Sequence, residues 1–578
     1  MLYVCPYRRE AGGRARSDLT LPQSHHNPSV RLDPRRPPPP GYYAANLLTV
    51  VEAILVRYRD VLTEDERRFG ERIRALTSQA LRLLARLVGR AAARGEGAVR
   101  EDTLDYPEVS DVSRALAELA AAGFIERCPP MPVETVLGLL TRAELQSLFR
   151  DVEAVRKGTK ADCLARILAA IPPAFCRWRI RRFVGWLRFA EADHLDLYRL
   201  LFFGDRHQDL TTFVLRDLGV HRYEQVDLSR ETRQFPDRET LGRHLDLVAA
   251  DDAIRVLFQM PPAGHEGVDG PVRDEAIAGL VERLWAPLDN RLLERRRSRV
   301  LNRLGRNLER QGDFDQALAC YRRSTLAPAR ERRMRILHRL GDAEGVECLR
   351  TEVLSSPWAA LEADFATRFG RPFRRRAAPV EDRVITGSGA GIEAQALAHL
   401  TSGGGIGWHL ENHLPMAVFA LVYWSWLFAP VEGAFVNAFQ TGPVDLYWPD
   451  FFRSREGICE NPLDGAVKPR LREMARAKAG IANRLFSWRR FTPEVVEAVT
   501  DNIPESDLRA LVEIVCEDLA GKRSGFPDLT VIYGPGRYEF VEVKGPGDQL
   551  QIHQRLWIEA LQARGLPVRV VRYRRPAQ

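Results

Sequence analysis

Hydrophobic positions along the chain follow three patterns. From Tyr42, "YYAANLLTVVEAILVRYRDVL" places apolar residues at three- and four-residue intervals, the period of an amphipathic helix. That pattern recurs, interrupted by Gly- and Pro-bearing loops, to about residue 380. A second pattern is "LPMAVFALVYWSWLFAPV" (414–431), 18 residues without a charge. Its length is the lower edge of a membrane span, but it holds two prolines and no Lys/Arg cluster closely flanks it, so it reads as a buried core helix. Near the C-terminus the period falls to two. "DLTVIY" (528–533) and "YEFVEVK" (538–544) alternate about a Gly/Pro turn, as the two strands of a β-hairpin do.

Residues 1–41 are Arg/Pro/Gly/Ser-rich and read as disordered, or as an extension upstream of the true start. Residues 42–290 read as a helical DNA-binding region. Within it, 75–130 gives a helix, a loop and a second helix ending in "LAAAGFIE", which resembles a winged-helix module; an ordinary helical pair has the same pattern. Residues 139–170, "LLTRAELQSLFRDVEAVRKGTKADCLARILAA", set Leu145, Leu148 and Phe149 on one helix and Leu164, Ile167 and Leu168 on a second, around the turn "RKGTK". This resembles a SAP domain, a small unit that binds the DNA backbone; the plainer reading is a helical hairpin with a solvated basic turn. In the SAP reading Arg142, Arg156, Lys157 and Lys160 face phosphates. "CRWRIRRFVGWLRF" (176–189) reads as a helix with Trp178, Phe183 and Trp186 on a core face and arginines, Arg177 and Arg181 among them, on a DNA-tracking or merely solvated face. Residues 291–380 carry a TPR-like repeat, with Gly312 and Gly341 at matching points 29 residues apart and a basic stripe, "ERRRSR", beside it. The last domain is placed at 381–578.

Composition sharpens this picture. At 578 residues the chain is too long for one core and is expected to hold three or four domains. Its net charge of +8 is compatible with a polyanionic partner. Of 85 Lys+Arg, six are lysine: Lys157, Lys160, Lys468, Lys478, Lys522 and Lys544. Arginine serving wherever a positive charge will do is the plain reading of that bias, and it makes each remaining lysine a candidate for a site where a compact, tunable amine is needed. The eight cysteines stand singly, without CxxC or Cys/His metal spacing, which points to a reducing cytosol and away from structural zinc. No long apolar stretch of a secretory signal opens the chain.

In the hairpin, Glu542 and Lys544 are two residues apart and share a face, while Val541 and Val543 turn the other way. Pairing the strands brings Asp528 beside Glu542. Two carboxylates and an amine make a poor apolar surface and a good divalent-metal site. Asp528, Glu542 and the Val543 carbonyl supply hard oxygens. Lys544 orients or helps deprotonate the attacking water and neutralises phosphate charge. Pro-Asp, thirteen residues, then Glu-Val-Lys is the PD-(D/E)xK signature, a loose one by itself.

The flanking residues are more specific. "VEVKGPGDQLQIHQRLWIEAL", with Asp548, Gln554 and Trp557, together with "RSGFPDL" upstream, resembles the VRR-NUC nuclease domain. "GWHLENHLPMAVFALVYWSW" resembles that family's G-W-x-x-x-H-S-E-G and the long apolar helix after it, which implies Glu411 as a fourth acidic residue and holder of a second metal ion. Serine and glycine are lost from that motif here, and Glu393 on the preceding helix is a rival. With its helical leader, SAP-like unit and TPR-like repeats, the chain over 42–578 resembles the bacterial Fanconi-associated nucleases. The fold class implied is multidomain: mostly α-helical N-terminal and middle regions, plus a C-terminal α/β restriction-endonuclease-like domain.

The resemblance implies a structure-specific DNA nuclease that incises 5′ flaps and degrades 5′→3′, uses Mg²⁺ or Mn²⁺ (two ions), and is tied to interstrand-crosslink repair. Catalysis and metal binding would rest on Asp528, Glu542, Lys544, Glu411 and the Val543 carbonyl, with Gln554 and Asp548 in support. A monomer is expected, in a bacterial cytoplasm near the nucleoid, with no membrane and no ubiquitin-binding zinc finger. The alternatives are a Holliday-junction resolvase, a non-catalytic branched-DNA scaffold and an RNA-directed nuclease.

Overall fold

The structure, a computed structural model, describes residues 41–92, 98–152, 155, 158–206, 222–259, 270–372, 380–384 and 391–574. Residues 1–40, Arg156 and Lys157 lie outside the described residues. The chain divides into two units: residues 1–56, 70–191 and 209–220, and residues 57–69, 192–208 and 221–578.

In the first unit, helices Ser78–Ala92 and Val112–Ala121 stand with three short strands, β1 (Ala98–Arg100), β2 (Ile125–Arg127) and β3 (Trp186–Phe189). They form an antiparallel sheet in the order β1-β3-β2. Between β2 and β3 the described residues include the α-helices Val133–Gly138, Arg142–Leu148, Lys160–Ala170 and Pro173–Arg181. Thr141 and Thr159 each close a capping box, with Glu144 and Asp162, and so fix where two of these helices begin. Leu145, Phe149 and Ile167 are fully buried in the shared core, while Leu148, Leu164 and Leu168 pack at its edge.

The stretch 176–189 is not one helix. The helix ends at Arg181, and "WLRF" becomes β3, whose alternation satisfies the ladder to both neighbours. Trp186 is buried, as expected of a core residue, but Trp178 and Phe183 are about half exposed.

The second unit holds helices Arg291–Gln311, Phe314–Arg323, Ala329–Arg339 and Ala343–Ser355, stacked in two antiparallel pairs. Gly312 and Gly341 follow the first helix of each pair with φ of 86° and 78°, a left-handed turn that favours glycine. Asp313 and Asp342 then cap the second helices. The two helix pairs thus share one turn and cap geometry.

The same unit carries a five-stranded mixed sheet: β4 (Val380–Val384), β5 (Ile406–His409), β6 (Leu529–Gly534), β7 (Arg537–Lys544) and β8 (Val568–Arg574). Its order is β4-β8-β7-β6-β5. The β8 pairings are parallel and the other two antiparallel. Leu529, Val531, Val541 and Val543 pack on one face with Ala396 and Leu400 of helix Ile392–Thr401. Tyr538 and Phe540 face the other way, into a larger core with Trp557 and Leu561 of helix Ile552–Ala563. Helix His413–Val422 lies in that larger core with every residue from Leu414 to Val422 buried. Each large apolar side chain so buried contributes roughly 1.5–3 kcal/mol, which explains the uncharged run without a bilayer. Among the described residues no helix is long and apolar enough to cross a membrane.

Candidate active site

Three chain segments meet at one end of the sheet. The β6–β7 register pairs Leu529 with Val541, which sets Asp528 opposite Glu542. The β5–β6 register pairs His409 with Leu529, which carries the chain past Asp528 as it leaves β5. There the Glu411 N–H donates to the Asp528 carbonyl at 3.1 Å, and the Phe526 N–H donates to Asn412 Oδ1 at 2.9 Å. Glu411 is left-handed, with φ of 48°, a conformation uncommon outside glycine and worth noting at a site. Gly525 lets the segment before Asp528 approach helix Ile552–Ala563. At φ of 97°, a Cβ there would stand 2.6 Å from the His553 ring and 2.7 Å from its backbone.

Glu542 is 1% exposed. Its Oε1 lies 2.7 Å from Lys544 Nζ and accepts from Gln554 Nε2 at 2.6 Å. Gln554 Oε1 in turn accepts from Lys544 Nζ at 3.0 Å and from the Gln551 N–H at 3.0 Å. The amide is thereby fixed between an anion and a cation. Glu542 Oε2 is buried and has no hydrogen-bond donor. Asp528 Oδ2 accepts the Val543 N–H at 2.8 Å, and Glu411 Oε1 sits 2.8 Å from His409 Nε2.

The electrostatics follow from this layout. Burial and then the nearby Asp528 charge push Glu542 up to about 7, with Glu411 adding and Lys544 opposing. Burial raises Asp528 too; the Val543 N–H and Lys544 oppose, and Glu393 adds to the rise. Glu411 and Glu393 are therefore both close enough to act on the pair.

Among the described residues, no three His, Cys, Asp or Glu side chains converge closely enough to hold an ion as they stand. Asp528, Glu542 and Glu411 each turn one oxygen to a protein donor instead. The donor set nevertheless fits a hard divalent cation. It offers carboxylate oxygens that repel one another, and one buried oxygen without a partner.

Asp548 plays a different part: its Oδ2 accepts the Gly545 N–H at 2.9 Å and shapes the turn after Lys544. Of the basic residues expected on DNA, Arg142 and Arg181 are exposed, and Lys160 is exposed with its Nζ on the Gly138 carbonyl at 2.7 Å. Arg177 is half-buried, with a long contact of 3.5 Å to the Met131 carbonyl. Sequence reasoning missed the His409–Glu411 pair. It read "ERRRSR" as a basic stripe beside the repeat without placing any of it in the core; Arg297 is buried and Arg295 half-buried against Trp448, 4.7 Å from its ring. The 3.6-residue period of "RLLERRRSRVLNRL" held that signal, since Arg297 falls on the turn of Leu293, Val300 and Leu304.

The VRR-NUC domain family matches residues 464–574, and the model described as "FAN1, HTH domain" matches residues 41–126. A crystal structure of paFAN1 bound to 5′-flap DNA with a 2-nucleotide flap and a gap superposes with a TM-score of 0.75 at 30% identity, covering 94% of this chain and all of that one. Fold and site together define a VRR-NUC nuclease, an enzyme whose family depends on divalent metal. The Fanconi-associated nuclease 1 homolog of Pseudomonas aeruginosa is 32% identical over 560 residues, 92% of this chain and 96% of that protein. The chain belongs to the Fanconi-associated nuclease family. Human Fanconi-associated nuclease 1 is 24% identical over 638 residues, and the match spans 62% of its length.

Proposed function

We propose that this nuclease incises branched duplex DNA at 5′ flaps and degrades it 5′→3′, as a monomer in the bacterial cytoplasm, in the repair of interstrand crosslinks. Asp528, Glu542 and the Val543 carbonyl would hold Mg²⁺ or Mn²⁺, with Glu411 reaching a second ion. The observation that carries the reading is the sealed Glu542 carboxylate, which has one oxygen without a donor and Asp528 beside it. The structural relatives add the substrate, since paFAN1 was solved on 5′-flap DNA.

A bound divalent ion supplies a lowered pKa for the attacking water and stabilises charge building on phosphorus. The chain's own residues do the rest. Lys544 gives one N–H to Glu542 and one to Gln554, and keeps a third for the attacking water or a phosphate oxygen. Gln554 holds Glu542 and Lys544 in register, a positioning role. Arg142, Arg177, Arg181 and Lys160, with Arg156 and Lys157, would supply sequence-independent affinity for the duplex backbone.

The test is cleavage of an end-labelled 5′-flap duplex by the full chain in Mg²⁺ and in Mn²⁺. The expected result is incision near the junction that is abolished by Asp528→Ala. Incision that survives the substitution, or none by the unaltered chain in either metal, overturns the reading.

A further inference from the structure

Helix Pro173–Arg181 buries Cys176 and Ile180 completely, so its core face is accounted for. Its other face is unusual. Phe175 and Trp178 are 44% and 52% exposed, and Phe183 just beyond the helix is 51% exposed. Large aromatic rings are seldom left half in water unless something covers them.

Two of these rings pack on each other. Phe175 and Trp178 stack at 5.3 Å between centroids with 19° between planes. The Arg182 guanidinium lies 5.0 Å from the Trp178 ring. On the inner side Arg179 lies 4.9 Å from Phe175 and 5.2 Å from the fully buried Phe149. A ladder of five planar groups thus runs from the core to the solvent: Phe149, Arg179, Phe175, Trp178, Arg182. Its inner arginine is neutralised by Asp151 at 2.6 Å. Among the described residues no ion pair is made by Arg182 or by the neighbouring Arg177 and Arg181.

We infer that this ladder is a stacking platform for the unpaired bases of a DNA strand. Every base has a π-face to add to the outer end of such a ladder, and a protein that binds single strands without reading sequence combines stacked aromatics with cations that follow the backbone. Charge complementarity favours this occupant over a protein: Arg177, Arg181 and Arg182, on and just beyond the helix that carries Phe175 and Trp178, are guanidiniums without an ion pair among the described residues. The inference rests on the proposal that the chain acts on branched DNA, and it adds where an unpaired strand is held.

The experiment measures binding by the full chain in chelator, using fluorescence anisotropy. Three probes are compared: an oligodeoxythymidylate, a flap duplex carrying a single-stranded arm of about ten nucleotides, and the same duplex nicked without an arm. The double variant Phe175→Ala/Trp178→Ala is expected to lose roughly tenfold in affinity for the first two, to bind the nicked duplex as the unaltered chain does and, in a separate assay with Mg²⁺, to cut that duplex as the unaltered chain does. Trp178→Phe, which keeps a ring, should retain most of the affinity. Unchanged binding of the oligonucleotide by the double variant would sink the platform, and so would an equal loss on all three probes. Failure of the nuclease reading looks different, because the unaltered chain would then bind but cut nothing in either metal.

Discussion

Asp445 and Glu542 are buried to the same degree in the same unit, 2% and 1% exposed, and are treated in opposite ways. Asp445 receives both Arg455 nitrogens, Nη1 and Nη2, at 2.9 Å each and Arg291 Nη2 at 2.7 Å. Burial pushes its carboxyl up, but the two arginines outweigh it and the net shift is downward. Arg455 is itself sealed; its Nε donates to the Trp426 carbonyl, and its Nη1 also donates to the Phe451 carbonyl and to Ser454 Oγ. Glu362 repeats the arrangement with Arg330, at 2.9 and 2.6 Å. Glu542 has no guanidinium. It meets one ammonium, one amide and two other carboxylates, and the net shift is upward to about 7. Where a buried carboxylate serves the fold, the chain completes its charge balance with arginine. At Glu542 the balance is left short by a cation.

The largest expected effect lies on the arginine side. Asp445→Ala strands Arg455 in the core with its charge uncompensated, a loss of about 3–5 kcal/mol that shows as a lower denaturation midpoint. Lys544→Arg should separate the two regions. A planar fork cannot place single N–H groups on Glu542 and Gln554 in the space of one ammonium. The expected outcome is a nearly unchanged midpoint with cleavage down roughly 10–100-fold, the usual effect of disturbing an outer partner of a metal ligand. Full activity in Lys544→Arg would mean that lysine is incidental here.

The hairpin site was legible because strand alternation is strict. Asp528, Glu542 and Lys544 share a face for the same reason that Val541 and Val543 share the other. Lysine scarcity was informative beyond the site: Lys522 is buried, with its Nζ on the Leu556 carbonyl at 3.0 Å and 4.7 Å from the Trp557 ring. Three of the five strands, β4, β5 and β8, were not read. "VEDRV" and "IGWH" are short and carry charge or glycine, and they become strands only when β8 and β6 offer them a ladder. "CRWRIRRFVGWLRF" misled because its helix passes into a strand within a few residues, where a 3.6-residue and a two-residue period both fit. The closeness of Glu411 to Asp528 depends on a crossing of backbones 117 residues apart in sequence, which no local pattern encodes.

The finest discrimination is by pH, because a buried group without a partner is not always a site. His244 is buried with no donor or acceptor on either ring nitrogen, and burial, then the nearby Arg296 charge, lowers it from 6.5 to about 4. Above pH 6.5 it is neutral in both folded and unfolded chains. As pH falls towards 4 only the unfolded chain gains the proton, so stability is lost on acidification. Glu542 runs the other way, from an ordinary 4.5 up to about 7. Below 4.5 it is protonated in both states. Between 4.5 and 7 the unfolded chain ionises first, and above 7 the full penalty applies. In chelator, Glu542→Gln should therefore gain stability over the unaltered chain at pH 8 and none at pH 4.5. His244→Leu should gain at pH 4.5 relative to pH 8, each difference being on the order of 1–3 kcal/mol. A divalent cation should erase the Glu542→Gln advantage, because the ion supplies the missing charge, and leave the His244→Leu difference untouched. Thermal melts of the three proteins at both pH values, with and without Mg²⁺, check this. An advantage of Glu542→Gln that persists in saturating cation would mean that the sealed carboxylate is a defect of the fold and not a ligand.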